Sequence, residues 1–296
     1  MMLKGANSAE VVGLVKEKME QECRDAVAAI PGVETVEMES TAQVPTQRKS
    51  GEKEPIPGIK HIIAVTSGKG GVGKSTVSVN LAVALSKLGA KVGILDADIT
   101  GPNIPIMMGV QNYEPVAKDS RILPAENHGV KCISMAFFVP KDTPLIWRGP
   151  MLNSAIRQFL GDVEWGELDV LVVGLPPGTG DAQLTMAQRV PLTGAVIVTT
   201  PQEVAIGDAL RGVKMFQRTG VPVLGIVENM SWFECPHCGK PTALFGSGGG
   251  QKLADECELP LLAQVPLYPR VMEGGDTGRP VVEADAASPA ANALIA

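Results

Sequence analysis

Short apolar runs alternate with amphipathic stretches along most of the chain. From residue 60 onward, KHIIAVTS, AKVGILDAD, KCISMAF, DVLVVG, GAVIVTT, VPVLGIVEN and LLAQVP read as strands. Their apolar residues fall on consecutive positions, as a strand buried on both faces requires. KSTVSVNLAVALSKLG, closed by Gly89, reads as a helix, and helical spacing recurs at about 150–160, 203–219 and 248–257. Strands alternating with helices predict an α/β fold built on a doubly wound, mostly parallel sheet. Ligands of such sheets bind at the carboxyl ends of the strands, and the unusual residues of this chain cluster there.

Upstream the pattern is different. Val11, Leu14, Val15 and Met19 share one helical face within residues 10–29, and PGVETVEME then alternates as a strand would. Residues 40–58, STAQVPTQRKSGEKEPIPG, are polar, rich in Pro and charge, and without an apolar period, which predicts a linker. One helix and one strand are too little to fold alone. The expected division is a remnant of a small α/β domain, or a docked arm, at 1–39, a linker at 40–58, and one large domain at 59–296.

Composition narrows this picture. Of 296 residues, 45% are hydrophobic but only 4% aromatic, so the core is aliphatic. The net charge of −6 argues against a general nucleic-acid binder. No apolar run approaches a membrane span, and MMLKGANSAEVVG lacks a signal-peptide core. The expectation is a cytoplasmic protein with neither a nucleic-acid nor a membrane partner. Its five cysteines (Cys23, Cys132, Cys235, Cys238 and Cys257) include one close pair, which in a reducing compartment reads as a metal or redox site.

GKGGVGKST, residues 68–76, satisfies G-x-x-x-x-G-K-[ST] with Gly68, Gly73, Lys74 and Ser75. It follows a predicted strand and opens a predicted helix, the context the motif requires. Gly68, Gly70, Gly71 and Gly73 let the backbone around Lys69, Val72 and Thr76 curl, so that its N–H groups face one concavity at a helix N-terminus. Lys74 is expected to reach the β- and γ-phosphates of ATP, and Ser75 to ligate Mg²⁺. The next strand ends in LDADITGPN, where Asp96 and Asp98 suit the water shell of Mg²⁺ or the attacking water. A turn-capping pair is the alternative for these aspartates. Asn229, in GIVENMS, is a candidate for the nucleobase or an ordinary turn residue.

FECPHCGKP places Cys235 and Cys238 at C-x-x-C spacing in a loop after a strand. Two thiolates grip one metal ion or one face of a cluster, whereas full ligation takes four ligands. No second C-x-x-C exists in the chain. Two copies related by a twofold axis supply four cysteines, so the pair predicts a metal or cluster bridging a homodimer. A thioredoxin-like redox pair is the competing reading, weaker because no helix opens at the pair. His237 is a further candidate ligand, while His61 and His128 read as structural.

SGKGGVGKSTVSVNLA, ILDADITGPNIP, WRGPM, LPPGTGDAQLT, VENMSWFECPHCG and GRPVVEADAASPAA appear in this order. Over roughly residues 55–296 the chain resembles the Mrp/ApbC-type iron–sulfur cluster carrier ATPases, deviant Walker A P-loop NTPases related to MinD, ParA and the nitrogenase iron protein. The resemblance implies ATP hydrolysis and a labile cluster, expected to be 4Fe–4S, held between two subunits and passed to apo iron–sulfur client proteins and assembly scaffolds. It implies that Lys69 reaches the partner's nucleotide, that Asp98 orients the catalytic water and that Asn229 meets the adenine edge. Two alternatives stay open: a MinD/ParA-like switch with a structural zinc at the C-x-x-C, and an ATP-driven electron-transfer reductase. No role is assigned to WRGPM.

The chain departs from that family in DVLVVGLPPGTGD. The residue before LPPG is usually the aspartate that holds Mg²⁺ through its water shell, and here it is Gly174. Asp181 lies beyond the Gly loop and is a poor substitute. The expectation is that ATP binds but hydrolysis is slow, and that Gly174→Asp raises turnover with little effect on the fold.

Overall fold

A computed structural model describes residues 21, 24–28, 55–98, 101–138, 149–235 and 237–296. Of the helix expected at 10–29, residues 21 and 24–28 are helical. The rest of that helix, the strand after it and the linker up to residue 54 lie outside the described residues, as do Trp147 and Arg148 of WRGPM.

In chain order the elements are β1 (Ile59–Ser67), α1 (Lys74–Lys87), β2 (Val92–Asp96), α2 (Ile104–Met107), β3 (Ala117–Lys118), β4 (Arg121–Ile122), β5 (Ala125–Asn127) and β6 (Val130–Ser134). There follow α3 (Gly149–Gly161), β7 (Leu168–Gly174), α4 (Asp181–Arg189), β8 (Gly194–Thr199), α5 (Glu203–Arg218), β9 (Val223–Glu234) and β10 (Pro241–Thr242). The last elements are α6 (Gly249–Cys257), β11 (Leu261–Leu267), α7 (Pro269–Thr277), α8 (Val281–Ala284) and α9 (Pro289–Ile295).

One nine-stranded sheet runs β10-β9-β8-β1-β7-β2-β6-β5, with β11 on β9. Only β5 and β10 pair antiparallel within it. The consecutive apolar residues of the central strands feed two cores in alternation, because side chains along a strand point to opposite faces. Leu171 and Val173 of β7 join Phe159, Met186, Phe216 and Leu253 beneath α3, α4, α5 and α6. Val170 and Val172 join Val77, Val83, Val281 and Ala291 beneath α1, α8 and α9. The doubly wound, mostly parallel α/β fold expected from the pattern is therefore the one found.

α1 is enclosed on most sides, which is why its sequence is small and aliphatic rather than amphipathic; Val77, Ser78, Val79, Asn80, Ala82, Val83 and Ala84 are all buried. Asn80 ties it to the C-terminal segment, accepting from the Val282 N–H at 3.2 Å. Two strand boundaries differ from expectation. β6 stops at Ser134, and Met135–Phe138 forms a 3₁₀ turn. β9 does not end at Asn229 but continues to Glu234. Among the described residues no helix is long and apolar enough to cross a membrane.

Candidate functional site

The loop between β1 and α1 leaves the carboxyl edge of the sheet. Gly71 and Gly73 adopt left-handed backbone, with φ of 79° and 86°, which glycine alone does without strain. The side a Cβ would take is open space at Gly70 and Gly71. At Gly68 a Cβ would run into the backbone of Asp208 and Ala209 in α5, and at Gly73 into the Asn229 amide nitrogen. Asn229 Nδ2 donates to the Val72 carbonyl at 2.9 Å, and Ser67 Oγ donates to the Lys69 carbonyl at 2.9 Å. The loop is thus fixed before any ligand arrives. Gly70, Gly71, Gly73, Lys74, Ser75, Thr76 and Asn229 line one cleft of about 620 Å³. Gly68, Lys69 and Val72 belong to the loop but not to the cleft wall.

The two aspartates at the end of β2 sit in different surroundings. Asp98 lines the cleft, and its Oδ2 lies 3.0 Å from Lys74 Nζ in an ion pair whose side chains are 7% and 8% exposed. Asp96 sits behind that wall. Its oxygens accept from the Asp98 N–H (3.2 Å), the Ile104 N–H (3.2 Å) and the Ser134 hydroxyl (3.3 Å). Burial pushes its carboxyl up to about 7, against the pull of Lys74. The structure places Asp96, for which a magnesium role was expected, behind the cleft wall, where its oxygens hold the Asp98 N–H and the start of α2.

Gly174 closes β7 between Val65 of β1 and Asp96 of β2. A Cβ there would meet Ile104 Cδ1 at 3.0 Å and Ser78 Oγ at 3.6 Å. The position therefore faces α1 and α2, beside the loop, with no carboxylate of its own. Pro177, in the following loop, reaches the cleft. Asp181 opens α4.

The far wall had no signal in the sequence. It comprises Leu267, Tyr268, Val271, Met272 and Asp276 with their neighbours, brought in by β11 and α7, together with Met230 of β9. Tyr268 donates to Asp285 Oδ2 at 2.9 Å, and that hydrogen bond, with burial, holds its hydroxyl above its usual pKa. YPRVMEGGDTG carries no spacing rule that would mark it as part of a site.

At the end of β9 the chain makes a tight turn into β10. The Cys235 N–H donates to the Lys240 carbonyl (3.1 Å), and the Gly239 N–H to the Cys235 carbonyl (2.8 Å). Gly239 is left-handed, with φ of 66°. The N–H groups of His237 and Cys238, and then the Cys238 thiol, point at the Cys235 sulfur and hold its pKa below the usual thiol range. The turn thus favours the thiolate that metal ligation needs. Cys235 is half-buried and Cys238 exposed, whereas Cys132 and Cys257 are buried, with pKa values raised by burial. Cys23 lies outside the described residues. Among the described residues no group of three or more metal-ligating side chains forms within the chain. The pair lies between two antiparallel strands, not at the start of a helix.

Residues 58–296 match the ParA family model described as a NUBPL iron-transfer P-loop NTPase. The chain belongs to this family. The iron-sulfur cluster carrier protein of Synechocystis sp. is 53% identical over 287 residues, covering 95% of this chain and 81% of its own. The iron-sulfur cluster transfer protein NUBPL of Dictyostelium discoideum is 51% identical over 250 residues, covering 82% of this chain and 77% of its own. Among solved structures, the nucleotide-binding protein of Archaeoglobus fulgidus in complex with ADP superposes with a TM-score of 0.68 at 43% identity, covering 76% of this chain and 88% of that one. MinD of Pyrococcus horikoshii with Mg-ADP, 24% identical, shares the fold at a TM-score of 0.57 over 79% of this chain and 93% of its own. The resemblance drawn from the motifs is thereby borne out.

Proposed function

We propose that this chain is an ATP-binding iron–sulfur cluster carrier that holds its cargo between two copies and passes it to apo-proteins. One observation carries the reading: a phosphate-type cleft and an exposed two-cysteine turn that favours thiolate lie on one domain of a NUBPL-type NTPase, and the turn offers only half a ligand set. The names of its relatives, iron-sulfur cluster carrier and transfer proteins, support the cargo. The ADP bound by the Archaeoglobus fulgidus neighbour supports the nucleotide. Free thiols at both cysteines suit a cytoplasmic setting.

In the ATP-bound state, the loop from Gly68 to Thr76 cradles the phosphates with its N–H groups, and Lys74 turns from Asp98 to the β- and γ-phosphates. Asp98, relieved of that pair, orients the attacking water. The oxygen donors at the cleft, Ser75 Oγ and Asp98, suit Mg²⁺, which would neutralise charge on the phosphates. Gly174 removes a carboxylate from the same shell, so turnover is slow and the ATP-bound state long-lived. Asn229 meets the adenine edge, and Lys69 reaches the nucleotide of the second copy.

Anaerobic loading with iron and sulfide tests the cargo. Iron, acid-labile sulfide and zinc are measured per chain together with the mass of the assembly. The expected result is iron and sulfide in a two-chain particle with broad visible absorption, lost in Cys235→Ala and in Cys238→Ala. Zinc without sulfide would favour a nucleotide switch with a structural metal, and an unchanged spectrum in the variants would refute the site.

A further inference from the structure

β9 serves both candidate sites, and it does so through a break in its own regularity. Successive residues of a strand point to opposite faces, yet Asn229 and Met230 both line the cleft. Met230 makes this possible with a left-handed backbone, φ of 57°, unusual for a residue with a side chain. Pairing with β11 records the same event. β11 moves from Val265 to Leu267 while β9 moves from Asn229 to Phe233, so β9 carries two extra residues in a bulge, and a slip of one of them changes the register parity beyond it.

A buried cluster holds that bulge. Ser231 Oγ donates to Glu228 Oε1 (2.6 Å) and lies 3.1 Å from the Glu228 carbonyl oxygen, which shares the same proton. Gln264 Nε2 of β11 donates to the same oxygen at 2.9 Å. Glu228 Oε2 accepts from the Gly250 N–H at the start of α6. Glu228 is wholly buried and Ser231 5% exposed. The side-chain oxygens are thus satisfied by donors from three elements, as buried polar groups must be.

The cluster also marks where β9 changes from fixed to projecting. Its last pair with β8 is Glu228 with Thr199. Beyond it the strand is held by β11 and by the β10 turn, and it ends one residue short of Cys235. Because strand side chains alternate with period two, relaxing a bulge by one residue reverses the face of every residue after it. A ligand that met Met230 more favourably in the bulged arrangement than in a relaxed one would bias the orientation of the cysteine turn.

We propose that Glu228 and Ser231 are positioning residues that couple nucleotide occupancy of the cleft to the geometry of the Cys235/Cys238 turn, through the bulge at Met230. The proposal rests on the cleft taking ATP, but not on the nature of the cargo.

The test uses the full metal-free chain. Alkylation of Cys235 by iodoacetamide is followed by peptide mass spectrometry with and without a saturating non-hydrolysable ATP analogue, with buried Cys132 and Cys257 as internal references. In the wild type the analogue should change the Cys235 rate by about fivefold or more. In Ser231→Ala the analogue should still bind with similar affinity while the rate change collapses. Ser231→Thr, which keeps the hydroxyl, should restore it, and Glu228→Gln should weaken it independently. An equal nucleotide effect in wild type and Ser231→Ala overturns the proposal. So does binding of the analogue to wild type with no change in Cys235. Neither result touches the cluster reading, which the iron and sulfide content decides separately; failure of the analogue to bind at all overturns both this coupling and the nucleotide assignment.

Discussion

Gly174 is where one side chain matters most. Its backbone is not left-handed, so an aspartate is sterically allowed there, but a Cβ comes within 3.0 Å of Ile104 Cδ1, and the cross-strand partner is the buried Asp96. Gly174→Asp should raise ATP turnover by about 10–100-fold, the usual size of an outer-shell effect at a metal site. It should also cost about 1–3 kcal/mol of apo stability through overpacking and a second buried carboxylate. Steady-state turnover and chemical denaturation check both halves, and a wild type as fast as the variant would refute the first. Asp96 supplies a pH signature. Below its unfolded value of 3.8 both states hold the proton; between that value and about 7 the folded state keeps a proton the unfolded state has lost. Stability therefore falls as pH rises through that window and levels off above it. Asp96→Asn removes the titration, so between about pH 4 and about pH 8 the wild type should lose more stability than the variant. Parallel thermal-melt profiles would contradict this.

At the scale of elements, the loop and α1 were legible because their chemistry is local: glycines at fixed spacing, a lysine, a hydroxyl and an aliphatic helix. What was not legible is how Gly73 meets Asn229, residues far apart in sequence whose backbone and side chain touch only in the fold. Gly73→Ala combines an unfavourable left-handed backbone with displacement of the Asn229 clamp. It should abolish detectable nucleotide binding while the far-ultraviolet spectrum stays native-like, at a stability cost of about 1–3 kcal/mol. Calorimetric titration with ATP checks it; binding at wild-type affinity would mean the clamp is dispensable. The sequence also ended β9 too early. Asn-Met-Ser reads as a turn in isolation, but pairing with β11 and β10 carries the strand through it to the cysteines.

At the scale of the whole molecule, the proposed carrier function needs a second copy. Its cysteine turn offers two ligands, and among the described residues nothing else in the chain completes the set. Lys69 belongs to the phosphate loop but does not line its own cleft, and its proposed role lies with the second copy. Lys69→Ala should therefore bind ATP with near-wild-type affinity but lose ATP-dependent dimerisation and most of the turnover. Sedimentation with and without nucleotide checks this, and an ATP-dependent dimer in the variant would assign the lysine to its own subunit.

The sequence by itself determined the alternating elements, the phosphate loop, the acidic pair after β2 and the cysteine pair, because each depends on neighbours a few residues away. It also exposed Gly174, since the motif around that position is intact. Only the tertiary structure decided which of the two aspartates faces the cleft. The same holds for the far wall from β11 and α7, and for the buried carboxylate that shapes β9. Those outcomes depend on strand order and on hydrogen bonds between residues remote in the chain. Asp96 and Asp98 are equivalent in a motif; β6, α1 and α2, packed around them, make one a buried brace and the other a partner for Lys74.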